Sequence, residues 1–158
     1  MKNILPLLLA GAMSVTMLSC SDDKKDDPTP NKTSLLTAKK WRVSAQSTTA
    51  TLNGNTTTVD EFATMQPCEK DDFTQFKTDK TVVFDQGATK CDPADNQTEN
   101  GTWDFNSDQT KLNLSDPDFG GIAIPFDIVT LNATTLTLRF TSNASGASSS
   151  STITFTAF

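Results

Sequence analysis

Histidine and tyrosine are absent from this 158-residue chain, and cysteine occurs only three times. Without an imidazole there is no Ser-His-Asp or Cys-His nucleophilic site, and the usual zinc ligand sets lose a standard member. An enzyme built from what is left would have to work with paired carboxylates, as in glycoside hydrolysis. Basic clusters are missing as well. Beyond the N-terminal region, Lys and Arg stand as single residues and one Lys39-Lys40 pair, where a phosphate-binding surface needs a basic stripe, so nucleic acid is excluded as a partner. No apolar run reaches the ~20 residues of a spanning helix. The longest, Ile4 to Leu18, contains Pro6 and ends abruptly before Ser21-Asp22-Asp23-Lys24-Lys25-Asp26-Asp27.

That apolar run has a different use. Lys2, the apolar stretch and the small residue Ser19 before Cys20 have the order of a secretory signal peptide, placed here at residues 1–19. Met17-Leu18-Ser19-Cys20 resembles a bacterial lipobox, in which the Cys is lipidated and becomes the mature N-terminus. The resemblance implies a lipid on Cys20, and several acyl chains at ~0.8 kcal/mol per buried CH₂ make a stable anchor. Residues 20–32 then read as a lipidated Cys followed by an acidic, Pro-punctuated tether. The acids after Cys20 resemble the export signal of surface lipoproteins in one Gram-negative phylum, and they equally suit a solvated spacer. The expected address is the outer membrane, facing either the cell surface or the periplasm. Cleavage before Cys20 removes Lys2 and no acid, so the net charge goes from −6 to −7, which also disfavours anionic lipid surfaces.

If Cys20 carries lipid, Cys68 and Cys91 are left for each other, and outside the cytosol such a pair oxidises. Between them lie Phe73 to Phe76, a turn at Asp79-Lys80 and Thr81 to Phe84, so the bond staples a β-hairpin. The rest of the domain, residues 33–158, repeats this theme. A short helical turn capped by Thr33 or Ser34 leads into a strand in which Trp41, Val43 and Ala45 share one face. Asn53-Gly54 then signals a hairpin, returning through Val59. Asp60 to Ala63 reads as a helical turn or a loop, and Ala94 to Asn100 as loop. Trp103 and Phe105, then Leu112 and Leu114, make another hairpin, and Ile122, Ile124, Phe126 and Ile128 share a face of a long strand. Pro125 within that strand requires a bulge or a free edge. Leu136, Leu138 and Phe140 follow, Ser142 to Ser151 reads as a flexible Gly/Ser loop, and Ile153 and Phe155 bring in the last strand. Hairpin after hairpin, with no long helical period, gives an all-β fold, an antiparallel up-and-down barrel of about eight strands with one disulfide and a short N-terminal helical turn.

Leu35 to Trp41, Pro67 to Asp72, Phe76 to Thr81, Cys91, Gly101 to Trp103 and Ile128 to Leu136, in this order, resemble the lipocalin-like domains of small bacterial lipoproteins. The resemblance implies an eight-stranded barrel with one open mouth and no common reaction, in a wider class that binds small apolar molecules. Lys39 stands where lipocalins proper carry Gly before the first-strand Trp, and no helix follows the last strand.

Acids fall in turn-like sequence: Glu69, Asp71 and Asp72 beside Cys68, and Asp116 and Asp118 around Pro117. They read as solvated turn and strand-end caps. Asp116, Asp118, Gly121 and Asp127 mimic part of a calcium loop, but Gly120 and Pro117 spoil the pattern and strand follows where helix should. No catalytic residue, metal ligand or cofactor is expected. The inward set Trp41, Phe84, Trp103, Phe105, Phe126 and Phe140 either lines a site for a small apolar ligand or fills the barrel outright. In the filled case the outer Thr/Asn surface or the loops would contact a surface protein or glycan.

Overall fold

The computed structural model describes residues 31–116 and 120–158, so the signal peptide, Cys20 and the acidic tether fall outside the described residues. Helix α1 (Lys32–Thr37) opens the domain. Its N-cap is Asn31, whose side chain accepts from the Ser34 backbone N–H at 2.7 Å, two or three residues earlier than Thr33 or Ser34 would have placed it. β1 (Lys40–Leu52) turns at Asn53-Gly54, both with positive φ, into β2 (Asn55–Asp60). Two single-turn helices follow, α2 (Glu61–Thr64), capped by Asp60, and α3 (Pro67–Lys70), closed by a capping box of Gln66 and Glu69. β3 (Phe73–Phe76), β4 (Thr81–Asp85), β5 (Thr98–Phe105), β6 (Lys111–Ser115), β7 (Ala123–Leu131), β8 (Thr135–Ala144) and β9 (Ala147–Ala157) complete the chain.

Eight of these strands close an antiparallel barrel in the order β1-β3-β4-β5-β6-β7-β8-β9, with β9 returning to β1. β2 shares an edge of β1 with β3: β3 takes Lys40 and Trp41, while β2 takes Ser47 to Leu52. The far halves of β1, β8 and β9 therefore outrun the barrel and, with β2, form a four-stranded ribbon. Cross-strand hydroxyl pairs stitch that ribbon, Thr49 with Thr58 and Thr51 with Thr56, each at 2.9 Å.

The alternating rows face inward as the period of two requires, apart from two slips, one in β1 and one between Ile128 and Thr130 of β7. A bulge between Val43 and Ala45 resets β1, so Gln46, opposite Ile153, takes the inward position and Ala45 is exposed. Pro125 pairs with Asn113 of β6, while β8 pairing starts only at Asp127, so the proline sits beside an edge without a ladder. Ile122 precedes β7 and is exposed. Two stretches read as loop are strand instead. β5 starts at Thr98, and Ser142 to Ser151 is not a flexible loop but a hairpin, with only Ser145-Gly146 between β8 and β9. Eleven β1 positions pair with β9, and this tertiary ladder overrides the loop-like composition of the serines.

The core fills one end of the barrel. Leu36 of α1 closes that end, packed with Trp41, Phe76, Val82, Trp103, Leu112, Leu136, Leu138 and Phe155. Both indoles are buried with their N–H groups satisfied: Trp41 Nε1 donates to the Leu36 carbonyl at 2.8 Å and Trp103 Nε1 to the Lys77 carbonyl at 2.9 Å. Each large side chain buried here contributes on the order of 2–3 kcal/mol. The Cys68–Cys91 disulfide is present, tying α3 to the β4–β5 loop.

Candidate functional site

Above this plug the barrel opens into a cavity of about 570 Å³, within the range of ligand pockets. Val43, Phe73 and Phe84 stand on its apolar side, and Trp41 also borders it without presenting any surface to water. The remaining wall is polar. Asp72 and Thr74 come from the segment entering β3, Asp85 and Gln86 from the end of β4, Glu99 from β5, and Asp116 from just past β6.

The other wall is the β4–β5 loop, which contributes Ala94, Asp95, Asn96 and Gln97. Several bonds fix it in place. The Gln86 N–H donates to the Gln97 carbonyl at 3.0 Å, Gln86 Nε2 to the Asn96 carbonyl at 3.0 Å, and Gln97 Nε2 to Asp85 Oδ1 at 2.8 Å and the Gly87 carbonyl at 3.0 Å. Asp71 Oδ2 accepts from the Ala88 N–H at 3.1 Å, and the disulfide at Cys91 anchors the same loop to α3. Asp72 sits where this assembly meets the mouth. Partial burial, followed by the negative charges of Asp71, Glu69 and Asp85, pushes its pKa up to about 6.

Of the six aromatic positions expected to line a site, the structure brings Trp41 and Phe84 to the cavity. Trp103 belongs to the plug, where Phe76 and Phe105 meet it edge-on at centroid separations of 5.9 and 5.5 Å. Phe126 and Phe140 pair with each other at 6.0 Å on the β7–β8 side. The interior is thus apolar in its closed half and acidic at its mouth, whereas the even spacing of aromatics suggested one apolar lining throughout. Glu69 and Asp71 are structural, the first in the capping box of α3 and the second at its C-cap, accepting from the loop at Ala88, but Asp72 and Asp116 are cavity residues and more than turn caps. Asp118 lies outside the described residues. Strand parity carried a signal for two of the acids that composition hid: Glu99 continues the inward row of Gly101, Trp103 and Phe105, and Asp116 that of Leu112 and Leu114.

Comparison with known proteins agrees with this architecture. No match was found among curated proteins. The family model of a lipocalin-like domain matches residues 37–138, from the end of α1 through β8 as far as Leu138. This stretch covers more than half of the chain and holds the disulfide, the acidic mouth and all of the plug except Leu36 and Phe155. The chain therefore belongs to the lipocalin-like domain family.

Proposed function

We propose that this protein is a lipid-anchored binding module that holds a small molecule in its barrel mouth. The observation that carries the reading is the 570 Å³ cavity above a fully packed plug: the closed end is filled by side chains while the open end is not. Val43 and Phe84 offer a wall for the apolar part of a ligand. Wall-loop hydrogen bonds and the disulfide favour a preformed site, which lowers the ordering cost of binding. The lipocalin-like fold is generally a non-enzymatic binding fold, and on that ground binding is preferred to catalysis.

The test is a titration with the neutral fluorophore N-phenyl-1-naphthylamine. A saturable, equimolar rise in emission is expected, and Val43→Trp, which projects an indole into the cavity, should weaken it. A flat response from wild-type protein with an intact β-sheet circular dichroism spectrum overturns the reading.

Attachment rests on the lipobox-like Met17-Leu18-Ser19-Cys20 and the acidic tether after it. Labelled palmitate should enter the wild type and not Cys20→Ala; equal labelling removes the anchor from the proposal. Digestion of the domain by protease added to intact cells tests whether it faces outward from the outer membrane.

One observation favours a second reading as an interaction module. Among the described residues, the outer edge of β2 and the Phe140–Ala144 edge of β8 pair with no other strand, leaving backbone donors and acceptors for a surface protein or glycan. In that case Thr58→Pro, which removes an outward-facing N–H of β2, impairs partner capture and leaves the fluorophore titration unaltered.

A further inference from the structure

The mouth cavity is bordered by Asp72, Asp85, Asp95, Glu99 and Asp116, and no lysine or arginine lines it. The nearby cations make contacts around its rim, one of them over Phe73 of the lining itself. Lys90, on the wall loop, donates to the Pro93 and Asp95 carbonyls at 2.7 and 2.6 Å. The Lys40 ammonium lies 4.0 Å from the centroid of the Phe73 ring, the Arg42 guanidinium 4.4 Å from that of Phe158, and the Lys70 ammonium 4.9 Å from that of Phe62. A guest entering the cavity therefore meets a lining with five acidic residues and the apolar side chains of Val43, Phe73 and Phe84. Such a field discriminates by sign, because a low-dielectric wall strengthens both the attraction of a cation and the repulsion of an anion.

We propose that the mouth selects amphipathic amines, with the apolar part of the ligand against Val43 and Phe84 and its ammonium among Asp72, Asp85, Asp95 and Glu99. The inference rests on the reading of the mouth as a ligand site and adds the charge of what it takes. The raised pKa of Asp72 is consistent with it: burial first, and then the carboxylates of Asp71, Glu69 and Asp85, oppose its ionisation, and a bound cation relieves the charge part of that opposition. A bare divalent ion fits less well. Calcium needs about six to eight oxygens within ~2.6 Å, and among the described residues no three Asp, Glu, His or Cys side chains gather for a metal. Acids spread around a cavity this size act on a cationic guest through their summed field and without the close coordination that a metal requires.

The experiment is isothermal titration calorimetry with octylammonium, octanol and octanoate at neutral pH and low salt. It uses the full chain carrying Cys20→Ser, so that acyl chains do not compete. Octylammonium should bind at least about tenfold more tightly than octanoate, with octanol between them. About 0.5 M salt should compress the order, since it screens half-exposed charges. In the isosteric double variant Asp72→Asn/Asp95→Asn the ratio of amine to carboxylate affinity should fall below about threefold. Octanol binding together with octanoate equal to or tighter than octylammonium overturns the charge selection and leaves the ligand site standing. Failure of all three to bind a folded protein overturns the site itself. The wild-type order and its salt dependence decide the matter even where the double variant does not fold.

Discussion

Gly87 is pressed against Asp71: a Cβ on Gly87 would lie 2.3 Å from the Asp71 carbonyl oxygen, and its φ of +62° belongs to the left-handed region. Gly87→Ala must therefore displace backbone and hold a strained conformation at once, for a combined cost of about 3 kcal/mol. Urea denaturation should show a correspondingly lower midpoint. A loss under about 1 kcal/mol would mean that the wall loop moves freely away from α3.

Removing the Cys68–Cys91 bond releases the same contact from the other side. The bridged residues are 23 apart in sequence, and loop-closure entropy alone predicts a loss of about 3 kcal/mol for Cys68→Ser/Cys91→Ser. Because Cys91 lies in the loop that supplies Asp95, Asn96 and Gln97, weaker fluorophore binding should accompany the lost stability. Unchanged affinity in a destabilised variant would separate the disulfide from the site.

Asp72 makes a pH prediction with a definite sign. Its folded-state pKa of about 6 lies above the ordinary 3.8, so the folded protein holds this proton more tightly than the unfolded chain. The stability contributed by the protonated form is complete below about pH 4 and is lost as pH rises through 6. Asp72→Asn should accordingly match the wild type near pH 4 and exceed it near pH 7.5, by about 1 kcal/mol once solvent screening of this half-exposed group is allowed for. Asp79, Asp104 and Asp108 act in the opposite sense. Hydrogen bonds lower their pKa values: from Thr81 for Asp79, from Lys80 for Asp104 and from Thr110 for Asp108. Their contribution disappears as pH falls through those lowered values. Denaturation midpoints at four or five pH values distinguish these trends.

Trp41→Phe should cost about 2 kcal/mol. The substitution leaves most of the ring volume but strips the indole N–H from the Leu36 carbonyl in a fully buried setting. Trp41→Ala, which also opens a cavity, should cost about 4 kcal/mol. If Trp41→Phe is neutral, the carbonyl at the end of α1 has found another donor.

What could be read from the sequence depended on the range of the interaction responsible. Alternation of Trp103 and Phe105 with Thr102 and Asp104 is a local signal, as is Asn53-Gly54, and both led to the observed strands and turn. Cysteine number left Cys68 and Cys91 to pair, and they do. Features imposed from a distance were hidden. The bulge after Val43 is a matter of register against β9, and nothing in Val43-Ser44-Ala45 announces it. Serines 148–151 look like a linker until β1 and β8 are placed on either side of them. The acidic mouth was the largest omission, because Asp72, Asp95 and Glu99 come from three separate segments that meet only when the loop carrying Cys91 is fastened to α3.

The seam between β1 and β9 sets an order on folding. Thr48 and Ser151 share a hydroxyl contact at 2.6 Å although 103 residues separate them. Every residue pair along that seam is similarly remote, so barrel closure is a high-contact-order event, and such topologies fold in milliseconds to seconds instead of microseconds. A chain emerging from its N-terminus presents β1 long before β9 exists to cover it. Throughout that interval one edge of β1, a row of β-prone threonines, has no partner and is open to pairing with other chains. Survival of the nascent chain thus depends on how long that edge goes unescorted, a kinetic demand that the finished barrel no longer displays.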